Sequence, residues 1–283
     1  RSSRRYSAML GKLLKNEFKQ SARYVMTIYA CAAATVLVML FALLTKITWL
    51  SVLGSVVLYF VGLLAVVLTL VSVIKNFYDS LYSNQGYLSF TLPVKCSSLL
   101  LSKVLVSFVW IITSFVVLAL VYLVIYWNAR AQAAQSGDQI GSLFEMLKES
   151  GLLELLPSAG MIVKFVVLVV VLVLLAILTF VGFVYFAVTV ANTRPLQKHP
   201  KLFGFLIFFG SYVVTNSIGA KLTYSLPLSV ALTADGLKLA FTSMNASDAA
   251  FSFGLGGTLF MALVALGMLF ATGYIMEHKV NIK

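Results

Sequence analysis

Residues 161–191 read MIVKFVVLVVVLVLLAILTFVGFVYFAVTVA, a run whose one charged side chain, Lys164, stands near its start. At 1.5 Å per residue the run makes roughly 45 Å of helix, more than the about 30 Å of hydrocarbon in a bilayer. It is apolar on every side, whereas a barrel strand is near ten residues long and alternates polar with apolar, so it reads as a spanning helix. Five further stretches, 24–45, 47–74, 104–127, 202–219 and 251–276, read the same way, and none carries a charged side chain near its middle. The composition agrees. With 61% hydrophobic and 11% charged residues among 283, the chain holds more apolar surface than one water-soluble core hides. The expected fold class is an all-α polytopic membrane protein with six transmembrane helices.

The net charge of +12 would suggest nucleic acid in a soluble protein, but its distribution gives orientation instead. The leader carries Arg1, Arg4, Arg5, Lys12, Lys15, Lys19 and Arg23. The loop between spans two and three carries Lys75, Lys95 and Lys103, the next even loop Arg194, Lys198 and Lys201, and the tail Lys279 and Lys283. The opposite side holds Lys46, Arg130, Lys148, Lys221 and Lys238. By the positive-inside rule the heavier side is cytoplasmic, which puts a multi-pass protein in the plasma membrane with both termini in the cytosol. The chain divides into a cytoplasmic leader over 1–23, one transmembrane domain over 24–276 and a tail over 277–283. A basic leader followed by a full-length span is not a cleavable signal peptide. A natural start at Met9, with residues 1–8 an addition ahead of it, lowers the leader's basic count from seven to four without reversing the orientation. Cys31 and Cys96 read as free thiols.

In the leader, Met9, Leu10, Leu13, Leu14 and Phe18 recur at helical spacing, with Lys12, Lys15, Asn16, Lys19 and Gln20 on the other face. This pattern predicts a helix lying on the cytoplasmic membrane surface, its lysines toward anionic lipid headgroups. A simple interfacial anchor and a partner-binding helix both fit it. Spans two and four exceed the bilayer, so they tilt or project, and 76–103 and 192–201 become candidate docking surfaces. On the outer side, 128–160 predicts a flexible start and a short amphipathic helix through Ile140, Leu143, Phe144 and Leu147. Residues 220–250, with Pro227 and LTYSLPLSVAL, read as a re-entrant or interfacial hairpin.

Chemistry is mostly excluded. The spans lack ionisable groups at membrane depth, which ion-coupled carriers and voltage sensors use. Asn216 is the most polar residue well inside a span, and a hydrogen bond to a neighbouring helix is its expected role. No GxxxxGK[S/T] loop is present, and His199 and His278 have no partner at metal-ligand or triad spacing. The chain is therefore expected not to be an enzyme and to hold no metal or cofactor itself. The loop NFYDSLYSNQGYLSFTLPVKCSSLLLSK (76–103) is aromatic-rich, with a break at Asn84-Gln85-Gly86 and at Pro93, and predicts a short helix, then a second one leading into span three. Its Tyr, Phe and Leu side chains suit a groove on another protein; packing on the chain's own base is the competing reading.

Together with MLGKLLKNEFKQSARY (9–24) and the six spans, the segment GYLSFTLPVKCSSLLLSK (86–103) resembles the permease subunits of type 2 ATP-binding-cassette exporters of Gram-positive bacteria. The resemblance implies an N-terminal amphipathic connecting helix, with Leu10, Leu13, Leu14 and Phe18 on it. It implies a cytoplasmic coupling helix between helices 2 and 3, where Tyr82, Gly86, Tyr87, Phe90 and Pro93 are the expected ATPase contacts, and a re-entrant outer segment before helix 6. Gln85 departs from the acidic residue frequent before the glycine in that family. The implied partners are cytosolic ATPase subunits, which would bind ATP and Mg, a second permease copy or paralogue, and membrane lipids; nucleic acid is not among them. The implied function is ATP-driven export of amphipathic or hydrophobic cargo (peptide, lipid or antibiotic, with peptides slightly favoured) by alternating access. A membrane scaffold or assembly factor is the alternative, and an ion-coupled carrier a third reading.

Overall fold

The computed structural model describes residues 2–44, 48–83, 96–136, 159–225, 229–233, 236–240 and 251–278. Its helices are α1 (Ser2–Leu44), α2 (Thr48–Tyr82), α3 (Cys96–Ser136), α4 (Ala159–Ala191), α5 (Pro200–Ser225) and α6 (Leu255–His278), with strands β1 (Ser229–Thr233), β2 (Gly236–Ala240) and β3 (Phe251–Gly254) before α6. All six helices are long and apolar enough to cross a membrane. Many of their large apolar side chains are exposed, among them Leu37, Phe41, Phe60, Val163, Val167, Phe205 and Phe270. Such outward surfaces suit lipid rather than water. The chain is thus a multi-pass membrane protein in its architecture.

It divides into two compact units, the first holding α1–α3 and the second α4–α6 with the strands. In the first unit, α1 is buried at Glu17, Ser21, Val25, Ala32 and Met39, steps of four and seven that keep one stripe of a helix on its neighbours. Met39, Leu58 and Val121 form an apolar core from one residue of each helix, with Val36, Val124 and Ile125 against it. Polar contacts close the bundle at both ends. At one, Asn128 is fully buried and its Nδ2 donates to Ser51 O at 3.1 Å and Ser55 Oγ at 2.7 Å, while Gln132 Nε2 donates to Asn128 Oδ1 at 3.1 Å. In a membrane such inter-helix bonds hold helices that hydrophobicity alone does not sort. The other end is the candidate site.

In the second unit small residues set the helix spacing. A Cβ on Gly182 of α4 would stand 2.9 Å from Ala265 O of α6, and one on Gly257 of α6 would stand 2.6 Å from Gly219 O of α5. Only glycine allows these backbones so close. Between α4 and α5, Asn192 Nδ2 donates to Val188 O at 2.7 Å and Thr193 Oγ1 to Val190 O at 2.7 Å, capping the end of α4. The stretch proposed as a docking loop, 192–201, is therefore a tight run of turns leading directly into α5.

Three features depart from the sequence expectation. The leader helix and the first span are one uninterrupted helix of 43 residues, because no proline occurs between Met9 and Leu44 and the one glycine there, Gly11, stands far from residue 24. Before α6 lies an antiparallel sheet of order β2-β1-β3, pairing Val230 with Leu239 and with Phe253, and Leu232 with Leu237 and with Phe251. Apolar residues alternate along each strand and meet in register, a period of two that favours strands over the expected all-helical fold. Lys103, counted as a loop charge, is buried within α3. The predicted short helix over 140–149 lies outside the described residues.

Candidate functional site

Where α2 ends and α3 begins, the three helices of the first unit meet around a buried amine. Ser80 is the third residue from the end of α2, and Lys103 lies two turns into α3. Lys103 Nζ donates to Glu17 Oε1 at 2.6 Å and to Ser80 Oγ at 2.6 Å. Ser80 in turn donates to Phe77 O at 3.2 Å. One ammonium thus joins α1, α2 and α3. The side chains of Lys103 and Glu17 are only 1% and 8% exposed, so this is a desolvated ion pair rather than a surface one. Burying either charge alone costs several kcal/mol, about the amount that pairing and hydrogen bonding must offset.

Seven residues along α3, on the same stripe, Trp110 repeats the linkage. Its Nε1 donates to Ser21 Oγ at 2.8 Å, and Ser21 donates to Glu17 O at 2.8 Å. Phe18 stacks on the Trp110 indole, ring centroids 4.6 Å apart and planes 15° apart, and Tyr29 OH donates to Trp110 O at 3.2 Å. On the opposite flank of α1, Lys75 Nζ of α2 lies 5.2 Å from the centroid of the Tyr24 ring. Phe77 and Leu81 are buried beside Ser80, and Leu99 and Leu100 are buried at the start of α3. The ends of the two helices that flank residues 84–95 are therefore bonded to each other through Lys103, which also pairs with Glu17 of α1. Glu17 Oε2 is buried and has no hydrogen-bond partner among the described residues.

Of the residues singled out in the sequence, Tyr82 ends α2, half-buried, with its ring edge-on to Phe77 at 6.2 Å and tilted against Tyr78 at 6.3 Å. Gly86, Tyr87, Phe90 and Pro93 lie outside the described residues. Leu10, Leu13, Leu14 and Phe18 all belong to α1; Leu13 and Leu14 are half-buried and Phe18 is 40% exposed. Sequence reasoning missed Glu17, Ser21, Ser80, Lys103 and Trp110. The available signal was the continuity of Glu17 and Ser21 with Val25, Ala32 and Met39 on one helical stripe. Cys31 and Cys96 are not in a disulfide.

The second unit holds a cavity of about 560 Å³ among α4, α5 and α6, lined by Leu172, Phe180, Phe208, Tyr212, Asn216 and Thr223 among others. The hydrogen bond expected of Asn216 does not form with another helix; among the described residues its amide faces the cavity unpaired. No protein-family model, curated protein or solved structure matches the chain.

Proposed function

We propose that the chain is the permease subunit of an ATP-driven exporter that moves amphipathic or hydrophobic cargo out of the cell, powered by separate cytosolic ATPase subunits and paired with a second permease. Both termini lie in the cytosol, as the basic loops argue. The observation that carries the reading is the Glu17–Lys103–Ser80 junction. It sits at the root of the aromatic segment 84–95 and joins both flanking helices and α1 through the Lys103 amine. A force applied to that segment by a closing ATPase dimer would move three helices as one body instead of bending a loop. Tyr82, Gly86, Tyr87, Phe90 and Pro93 are the contacts assigned to the ATPase, and α1 from Leu10 to Phe18 is the connecting helix. The cavity on Asn216 and Thr223, apolar with a few hydrogen-bonding groups, suits an amphipathic molecule better than an ion.

An ion-coupled carrier is the second reading, since buried ionisable groups between helices relay charge in such proteins. The Glu17–Lys103 pair has that chemistry. The absence of any Asp, Glu, His, Lys or Arg from the stretches 24–45 and 104–127 weighs against a relay across the membrane. Transport assayed in sealed vesicles separates the two: the exporter requires ATP hydrolysis, and transport that persists without nucleotide but collapses with the proton or sodium gradient would overturn it.

A further inference from the structure

On the outer flank of the same junction, α1 and α3 enclose a groove of about 690 Å³ lined by Leu14, Lys15, Phe18, Lys19, Leu105, Val106 and Val109. Its composition is divided between the two helices. The apolar floor, Leu105, Val106 and Val109, belongs to α3 just inside the span that begins near residue 104. The two ammonium groups, on Lys15 and Lys19, belong to α1, ahead of the uncharged stretch 24–45. Lys15 and Lys19 are four residues apart and share one helix face. Phe18, between them, is held by its stack on Trp110, so the groove has a fixed aromatic wall.

The electrostatics favour one kind of occupant. Glu17, the acidic residue of α1, is turned into the bundle and neutralised by Lys103, so it does not offset Lys15 and Lys19 at the groove. The lining contains no acidic residue. A cationic edge beside an apolar trough is complementary to a lipid carrying a phosphate without a compensating amine. We infer that this groove is a binding site for an anionic phospholipid, its phosphate on Lys15 and Lys19 and an acyl chain along Leu105, Val106 and Val109. A lipid seated there would touch α1 and α3 together, and so would brace the junction from its membrane side.

The test is native mass spectrometry of the full purified chain titrated with phosphatidylglycerol and, in parallel, phosphatidylcholine of the same acyl chains. The parent is expected to retain phosphatidylglycerol preferentially, and the double variant Lys15→Gln/Lys19→Gln to lose about tenfold in that affinity. Lys12→Gln, which removes a leader charge outside the groove lining, should keep it, and Val109→Trp should lower retention of the lipid while both lysines remain. Equal retention of the two lipids by the parent overturns the site. So does a loss in Lys12→Gln as large as in the double variant, which would reduce the effect to leader charge. So would unchanged lipid retention in the double variant accompanied by loss of a protein partner, which would make this face a protein contact.

Discussion

Lys103 Nζ and Glu17 Oε1 stand 2.6 Å apart inside the first helical unit, 86 residues apart in sequence, with almost no exposure of either side chain. This pair, with Ser80 as its third member, fixes the depth at which α1, α2 and α3 meet. Removing one partner leaves the other charge buried. Lys103→Met should therefore cost about 3–5 kcal/mol, read as a large fall in melting temperature in detergent. Pairing it with Glu17→Leu should recover most of the loss, since the uncompensated charge disappears with its partner.

Ser80→Ala removes one hydrogen bond to a charged group while leaving the ion pair in place. A loss of about 1.5–3 kcal/mol is expected, smaller than for Lys103→Met, and thermal denaturation of the two variants side by side checks the order.

In the second unit, Gly257→Ala places a Cβ 2.6 Å from the Gly219 carbonyl oxygen, so α5 and α6 must separate. A destabilisation of about 1–3 kcal/mol follows. Gly267→Ala on the same helix meets nothing within 4 Å and should leave melting unchanged or raise it by about 0.5–1 kcal/mol, because alanine loses less backbone freedom than glycine.

Asn128 is buried between α2 and α3 and bonded to Ser51 and Ser55. Asn128→Leu should lower stability by about 1–2 kcal/mol, with an effect additive to that of Ser80→Ala, because the two clasps lie at opposite ends of the bundle. A double-mutant melting series measures that additivity.

The number of spanning helices was legible because a membrane demands long apolar runs, and such runs need no partner to be recognised. The junction was not. Glu17 and Lys103 look like ordinary interfacial charges until α1 is continuous past residue 24 and turns its Glu17–Ser21 stripe inward, which only tertiary packing decides. Asn216 was legible as an unusual residue but not in its role, because a polar side chain in a span can face a neighbour or a cavity. The strands before α6 escaped because Val230 finds Leu239 and Phe253 only through pairing at a distance.

The central claim is mechanical coupling to an ATPase, and its most direct measurement is recovery of the full chain from its own membranes in mild detergent, with bound proteins identified by mass spectrometry. A P-loop ATPase in stoichiometric amount is predicted. Tyr87→Ala and Phe90→Ala should lower its retention or its cargo-stimulated ATP hydrolysis without changing the melting temperature of the helices. Recovery of the chain without any ATPase, or normal assembly and transport by both variants, would contradict the account.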